Sequence, residues 1–464
     1  MTRPTFLRRF LAHDPARVAI QYGEQALSFG HLRELGEATA GWLRAQGVTP
    51  GDRVCIHLDT SIDLLAAHLG CMAVGAVRVP LNAHYRAIEL APIVEDAAPA
   101  LAFSASPACF PGVPTFSAPG RGPPVCDWAG LDDVTGLLFT SGTTGRAKGA
   151  PQTWTMWESN LDALQARWQL GDRDVLLLTL PLFHTHGLVV GLHGAWLRGA
   201  RVVLRDRFDA VEPPAEVTHF YGVPTYFRRW LPLMRVRPEL FGGFRLLVSG
   251  SDGLPVEVSD AIFAATGHRI LERYGMTETV MIASNPGAGE RRAGSVGTAL
   301  PGTDIRVIDG EVQVRGPGVF GGYWPRAEAD AAAFTADGYF RTGDAGELDP
   351  DGYLRIIGRK KDLIIVGGVN VSPAEVERVL ATVPGVADVG CCGLYDADLN
   401  EVVGAAVVSD GTVEEGELRG LLEAAARQLS GLKRPRRVAF VAGLPKNALG
   451  KLQRGRIAGE AFGG

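Results

Sequence analysis

Leu137–Ala150 reads L-L-F-T-S-G-T-T-G-R-A-K-G-A. Apolar and aromatic residues lead into a run of small and hydroxyl-bearing ones, and Arg146 and Lys148 follow. That is the composition of a strand feeding a phosphate-gripping turn. Gly142, Gly145 and Gly149 let the backbone approach a ligand closely. Ser141, Thr143 and Thr144 add hydroxyls, and successive N–H groups of such a loop form an anion-binding nest. Lys148 supplies a point charge. The pattern is not a P-loop, because Gly145 interrupts the residues between Gly142 and Lys148, and Gly149 rather than Ser or Thr follows the lysine. A plain surface loop could share this composition but would not be expected to follow an apolar strand and carry a lysine at that place.

The 464 residues exceed one ordinary core, so two or more domains are expected. A content of 46% hydrophobic and 21% charged residues is that of a soluble globular chain. A net charge of −5 gives no electrostatic reason to expect nucleic acid or an anionic membrane as partner. The six cysteines show no C-x-x-C spacing, and Cys391 and Cys392 are adjacent, which fits a reducing, cytoplasmic setting. The first residues lack the apolar core of a signal peptide, and no stretch approaches the roughly 20 apolar residues of a membrane span.

Along the chain, strands are expected at 18–22, 53–58, 76–80 and 100–104, with helices at 28–46, 61–74 and 86–95. This βαβ alternation implies a parallel sheet. Residues 107–129, rich in Pro and Gly, read as a surface loop. Strands at 175–180, 201–204, 217–221 and 244–249 are apolar on both faces and suit a sheet covered by helices. The composition changes after Asp344. Past G-R-K-K-D, Gly358–Asp362, a compact α+β pattern follows, with helices at 372–382 and 414–429 and strands at 387–393, 402–408 and 437–441. The expected division is 1–360 and 361–464.

T-S-G-T-T-G-R-A-K-G resembles the signature of the adenylate-forming superfamily, which includes acyl-CoA synthetases, luciferases and peptide-synthetase adenylation domains. The resemblance covers nearly the whole chain. It implies an α/β fold: a large N-terminal domain of αβαβα layers with a distorted barrel, joined by a hinge to a small α+β domain. It also implies activation of a carboxylic acid with ATP and Mg²⁺ as an acyl-adenylate, pyrophosphate release, and transfer to CoA or, alternatively, to a carrier-protein thiol.

Site residues follow from the resemblance position by position. Thr140, Ser141, Gly142, Thr143, Thr144, Gly145 and Lys148 would hold the ATP phosphates. In E-R-Y-G-M-T-E-T, Glu272–Thr279, Tyr274 would meet adenine, Thr277 the α-phosphate and Glu278 Mg²⁺. Ser251 in S-G-S-D, Ser249–Asp252, belongs to the adenine-pocket loop. Asp344 in Y-F-R-T-G-D-A-G would accept the ribose hydroxyls, with Arg359 as a second ribose or phosphate contact. Lys451 in L-P-K-N-A-L-G-K-L-Q-R, Leu444–Arg454, would be the catalytic cation, stabilising charge that builds between carboxylate and α-phosphate. Lys361 is the hinge position, and Gly367 and Gly368 would border the pantetheine tunnel.

His184, in P-L-F-H-T-H-G-L, matches the acyl-pocket and gate residue; with His186 it has no third ligand nearby that would favour a metal. Arg229, in G-V-P-T-Y-F-R-R, and Arg292, in G-E-R-R-A-G-S-V-G, are expected in the acyl pocket. A buried arginine needs an anion, and its fork matches a carboxylate. The implied substrate is a dicarboxylic acid. Three stretches, at 181–188, 272–286 and 289–302, are similar to malonyl-CoA synthetases, pointing to malonate or methylmalonate.

Overall fold

The computed structural model describes residues 4–128, 134–140, 147–325, 330–367, 369–446, 450 and 452–463. The expected elements form for local reasons that can be named. Helix Phe29–Ala45 starts where the Ser28 hydroxyl accepts from the His31 N–H at 3.2 Å. Helix Ile62–Val74 is capped by Ser61, buried along nearly its whole length, and stopped by Gly75 at φ +81°.

Strands Arg53–His57 and Val77–Pro80 flank that helix and pair in parallel, a βαβ unit. They sit in a six-stranded sheet ordered 115–116, 101–104, 53–57, 77–80, 134–140, 148–153. A nine-stranded sheet runs 298–299, 283–284, 271–274, 246–249, 219–222, 175–178, 201–204, 18–22, 25–28. Its central strands are parallel and buried on both faces, as their apolar sequences require. Phe220, Phe227, Trp230, Met234, Phe241 and Ile262 pack one of its flanking cores, each side chain contributing about 1.5–3 kcal/mol by leaving water.

The chain divides into two compact units: 1–306 with 313–340 and 348–354, and 307–312 with 341–347 and 355–464. The second unit therefore claims segments that a cut at residue 361 would assign to the first. The division passes through the strands Asp304–Ile308, Glu311–Arg315, Phe340–Leu348 and Leu354–Arg359 rather than between them. In the second unit, Val369–Val371, Ile364–Val366, Asn400–Ser409 and Val386–Asp396 form a sheet in that order, and Arg437–Phe440 also pairs with 400–409. Helices Pro373–Leu380 and Glu415–Ala426 bury Val376, Leu380, Leu418 and Leu422 against it. Helices Trp154–Trp168, Pro224–Val236, Val256–Thr266 and Arg454–Phe462 go beyond the sequence reading.

Candidate active site

Strands Val134–Thr140 and Lys148–Thr153 form an antiparallel hairpin in which Thr140 pairs with Lys148. Space at Gly149 is tight, since a Cβ would lie 2.8 Å from Leu137 Cδ1 and 3.2 Å from the Trp324 carbonyl. Ser141, Gly142, Thr143, Thr144, Gly145, Gly368 and Lys451 lie outside the described residues. Lys148 Nζ stands 4.9 Å from the centroid of the Tyr323 ring. The Tyr323 hydroxyl donates to Glu278 Oε1 at 2.8 Å. Gln152 Nε2, from the same hairpin, donates to the Thr277 carbonyl at 2.7 Å. The hairpin and the Thr277–Glu278 pair are thus one hydrogen-bonded assembly.

That pair follows strand Leu271–Tyr274, which lies parallel to Leu246–Ser249 with Ser249 opposite Glu272. Both strands deliver their next residues, G-S-D-G and G-M-T-E, to the same carboxyl edge, where open α/β sheets bind ligands. The turn is tight. A Cβ on Gly275 would meet the Val280 carbonyl at 2.1 Å. Val280 is fully buried at φ +56°, a conformation costing a β-branched residue about 1–3 kcal/mol. Glu278 is 5% exposed.

His184 precedes a π-helix, His186–His193, an irregularity frequent at functional sites. Burial pushes the His184 imidazole down to about 4, so it is neutral at pH 7. His186 is buried, with Nδ1 3.2 Å from Ser251 Oγ and no partner for Nε2. Its pKa is lowered by burial and then by the charge of Arg273. Among the described residues, no group of three His, Cys, Asp or Glu side chains could hold a metal.

Arg273 is 4% exposed, and its Nε and Nη2 have no hydrogen-bond partner. Its guanidinium lies against Gly250, where an added Cβ would come within 2.2 Å of Cζ. Burial pulls its pKa down to about 9, which leaves it charged at neutral pH. Neighbouring Glu272 does not compensate it, because successive strand residues face opposite ways. The Glu272 carboxylate instead accepts from the Gly294 N–H at 2.8 Å, and burial raises its pKa to about 7.

The two arginines singled out in the sequence separate. Arg292 is a correction. Its Nη1 and Nη2 meet Asp349 and Asp351 at 2.8 Å each, Glu290 lies at 3.4 Å, and the guanidinium stacks on Tyr353 at 3.9 Å. With its charge already met by three exposed carboxylates, it needs no substrate anion. Arg229 is exposed on helix Pro224–Val236, 5.3 Å over the Phe208 ring. Among the described residues it makes no ion pair.

In the second unit, Asp344 is 6% exposed and pairs with Arg359 Nε at 2.9 Å. The Arg359 Nη1 also donates to the Thr342 carbonyl at 3.2 Å. Lys361 is exposed in the 3₁₀ turn Lys360–Asp362. Gly367 is exposed at φ +55°, its N–H donating to the Leu399 carbonyl at 2.7 Å.

The AMP-binding enzyme family matches residues 7–324, and the C-terminal domain of the same enzymes matches 375–451. The chain belongs to the AMP-binding enzyme family. Within this adenylate-forming superfamily, it is 35% identical to ATP-bound MatB from Rhodopseudomonas palustris, with a TM-score of 0.91 and 98% of both chains covered. A malonyl-CoA ligase in ternary complex with methylmalonyl-CoA and AMP is 38% identical, with a TM-score of 0.71 over 96% of this chain and 100% of the other. Indoleacetate–CoA ligase from Aromatoleum aromaticum is 31% identical over 97% of this chain and 96% of its own. The family's mixed α/β architecture, a large AMP-binding part followed by a smaller C-terminal part, is that of this chain. Among the described residues, no helix is long and apolar enough to cross a membrane.

In this AMP-binding enzyme the residue that sequence reasoning passed over is Arg273. Its signal was legible: two charged residues, Glu-Arg, end an otherwise apolar strand. A strand buried on both faces must then enclose both of them.

Proposed function

We propose that the protein is an AMP-forming acid–CoA ligase whose acid carries a second carboxylate, with malonate or methylmalonate as substrate. The observation that carries this reading is the buried guanidinium of Arg273, charged and without a carboxylate, beside His186 and Ser251 at the carboxyl edge of the large sheet. Such a cation is costly unless an anion meets it, and a fork-shaped donor suits a carboxylate. Arg229 on helix Pro224–Val236 would offer the acid a second cation. The relatives support ligation to CoA, and one of the three named is a malonyl-CoA ligase with methylmalonyl-CoA and AMP bound.

The reaction begins with a substrate carboxylate oxygen attacking the α-phosphorus of ATP. The bond from the α-phosphorus to the bridging oxygen breaks and pyrophosphate leaves. Thr140, Ser141–Gly145 and Lys148 hold the departing phosphates. Tyr274 and Ser251 line the adenine site, Thr277 meets the α-phosphate, and Asp344 with Arg359 holds the ribose. Glu278 would hold Mg²⁺ through its carboxylate, and the ion would neutralise phosphate charge. Lys451 stabilises the negative charge that develops between carboxylate and phosphate. The small domain then turns about Lys361, and the CoA thiol, reaching past Gly367 and Gly368, displaces AMP. A neutral His184 can border the acyl pocket without competing for the anion.

The test is pyrophosphate release with malonate, methylmalonate, acetate, benzoate and octanoate, with and without CoA. Malonate-dependent release with a CoA thioester product is expected. Arg273→Leu should lower kcat/KM for malonate about 100-fold or more, with little effect on the ATP KM. Preference for a monoacid, or unchanged malonate kinetics in Arg273→Leu, would overturn the dicarboxylate assignment.

A further inference from the structure

Two residues far apart in sequence meet at the base of the segment that carries Lys451. Arg454, at the first position of the last helix, and Glu377, in helix Pro373–Leu380, form a two-pronged ion pair: Nη1 to Oε1, and Nη2 to Oε2 at 2.8 Å. Both side chains are largely enclosed, 21% and 15% exposed. The pair is also locked to strand Val386–Asp396. The Cys391 N–H donates to Glu377 Oε1 at 2.7 Å, and Arg454 Nη1 donates to the Cys391 carbonyl at 3.3 Å.

The residues on either side of the lysine segment close on each other. Lys446 and Leu452 form an antiparallel bridge, and the Gln453 N–H donates to the Pro445 carbonyl at 2.8 Å. Lys446 Nζ is itself paired with Asp388. The chain is therefore fixed to the sheet at Lys446, before the lysine, and at Arg454, after it. Burial opposes the charge of Arg454, but the Glu377 hydrogen bond and charge outweigh it. Asp362, one residue past the hinge position, adds to the same field.

We infer that Glu377 and Arg454 are positioning residues for Lys451: the ion pair sets where the lysine segment leaves the sheet, and so the aim of its ammonium during adenylation. A lone lysine on a flexible tail would lose most of its value as a preorganised charge. Neither residue belongs to the nucleotide or acid site proposed above. The inference rests on the proposed role of Lys451 in adenylate formation, and it deepens that role by naming what holds the lysine.

The experiment measures the two half-reactions separately, in the full-length enzyme, with ATP and whichever acid of the panel gives turnover. Arg454→Met and the double variant Glu377→Leu/Arg454→Leu are compared with Lys451→Ala. The double variant replaces the pair by apolar groups, which keeps a folded domain without the fork. Adenylation should fall about 100-fold in both, as expected for an ångström-scale misplacement. Thiol transfer from a supplied adenylate should stay within about twofold, and KM values should hold, since no residue of the nucleotide or acid site has changed. Adding Lys451→Ala to Arg454→Met should cost little beyond Lys451→Ala alone, because both act through one ammonium.

Arg454→Lys should recover part of the rate. Normal adenylation in the double variant, equal loss of both half-reactions, or additivity with Lys451→Ala would overturn the assignment. Were Lys451→Ala itself to adenylate normally, the lysine's role would fall and the pair's with it. A normal Arg454→Met beside an inactive Lys451→Ala would remove only the pair.

Discussion

In the large unit the guanidinium of Arg273 is closed off from water with no carboxylate beside it; in the small unit Arg454 is almost as enclosed but lies fork to fork against Glu377. The contrast extends to the rest of each unit. Among the described residues, every buried side-chain nitrogen or oxygen lacking a hydrogen-bond partner belongs to the large unit, including those of His68, Arg78, His186, His193 and Ser249. The small unit pairs its enclosed charges, Asp344 with Arg359 and Glu377 with Arg454. Unmet buried polarity is what a receptor for a charged ligand looks like before the ligand arrives, whereas a domain that must present one side chain at a fixed place profits from polarity already satisfied.

The sharpest way to break this contrast is by substitution at its two poles. Glu377→Leu leaves Arg454 enclosed without a counter-charge and should destabilise the small unit by about 3–5 kcal/mol, read from its urea transition by circular dichroism. Arg273→Leu removes an unmet charge and should do the opposite, stabilising the ligand-free large unit by about 1–3 kcal/mol while impairing malonate use. Because all eight tryptophans lie in the large unit, their fluorescence follows it alone. Loss of stability in Arg273→Leu would mean that the arginine has a structural partner and would dissolve the comparison.

Acid should also separate the units. All ten histidines lie in the large unit. Burial lowers the pKa of His57, His68, His184, His186, His193 and His219. A histidine whose folded pKa lies below its unfolded value of about 6.5 is protonated first in the unfolded chain, so stability rises with pH across that interval. Stability of the large unit should therefore be full above pH 6.5 and fall as pH drops towards 4, the window given by His184 and His219. The tryptophan-monitored urea midpoint at pH 7.5, 6 and 5 checks this; a flat profile would contradict it. The smallest effect belongs to Arg292→Leu. It loses only exposed ion pairs, at most about 1 kcal/mol, and malonate kcat/KM should stay within about twofold. A large loss would return Arg292 to the acyl pocket.

The sequence makes the alternating first sheet legible, because Ser28, Ser61 and Gly75 punctuate it with caps whose hydrogen bonds and dihedral angles the structure contains. The strand running into Thr140 was equally readable from its apolar residues, but its antiparallel partner Lys148–Thr153, which is short on apolar residues and contains Pro151, was not expected. Elements defined by long-range packing were harder to see. Helix Pro224–Val236 carries Pro232 inside it and exposes Arg228 and Arg229, so its pattern is interrupted. Charge was the least legible property: in one dimension Arg273 and Arg292 look alike, and only folding brings Asp349 and Asp351 to one of them and none to the other.

That last difference bears on how the protein would respond to laboratory evolution. A library screened for heat tolerance without substrate would favour replacement of Arg273 early, since the empty site gains by losing its charge. On the dicarboxylate reading proposed above, the survivors would be sturdier and less discriminating, retaining the nucleotide machinery while admitting acids with no second carboxylate. Screening the same library in the presence of malonate and ATP would reverse the sign of selection at that position.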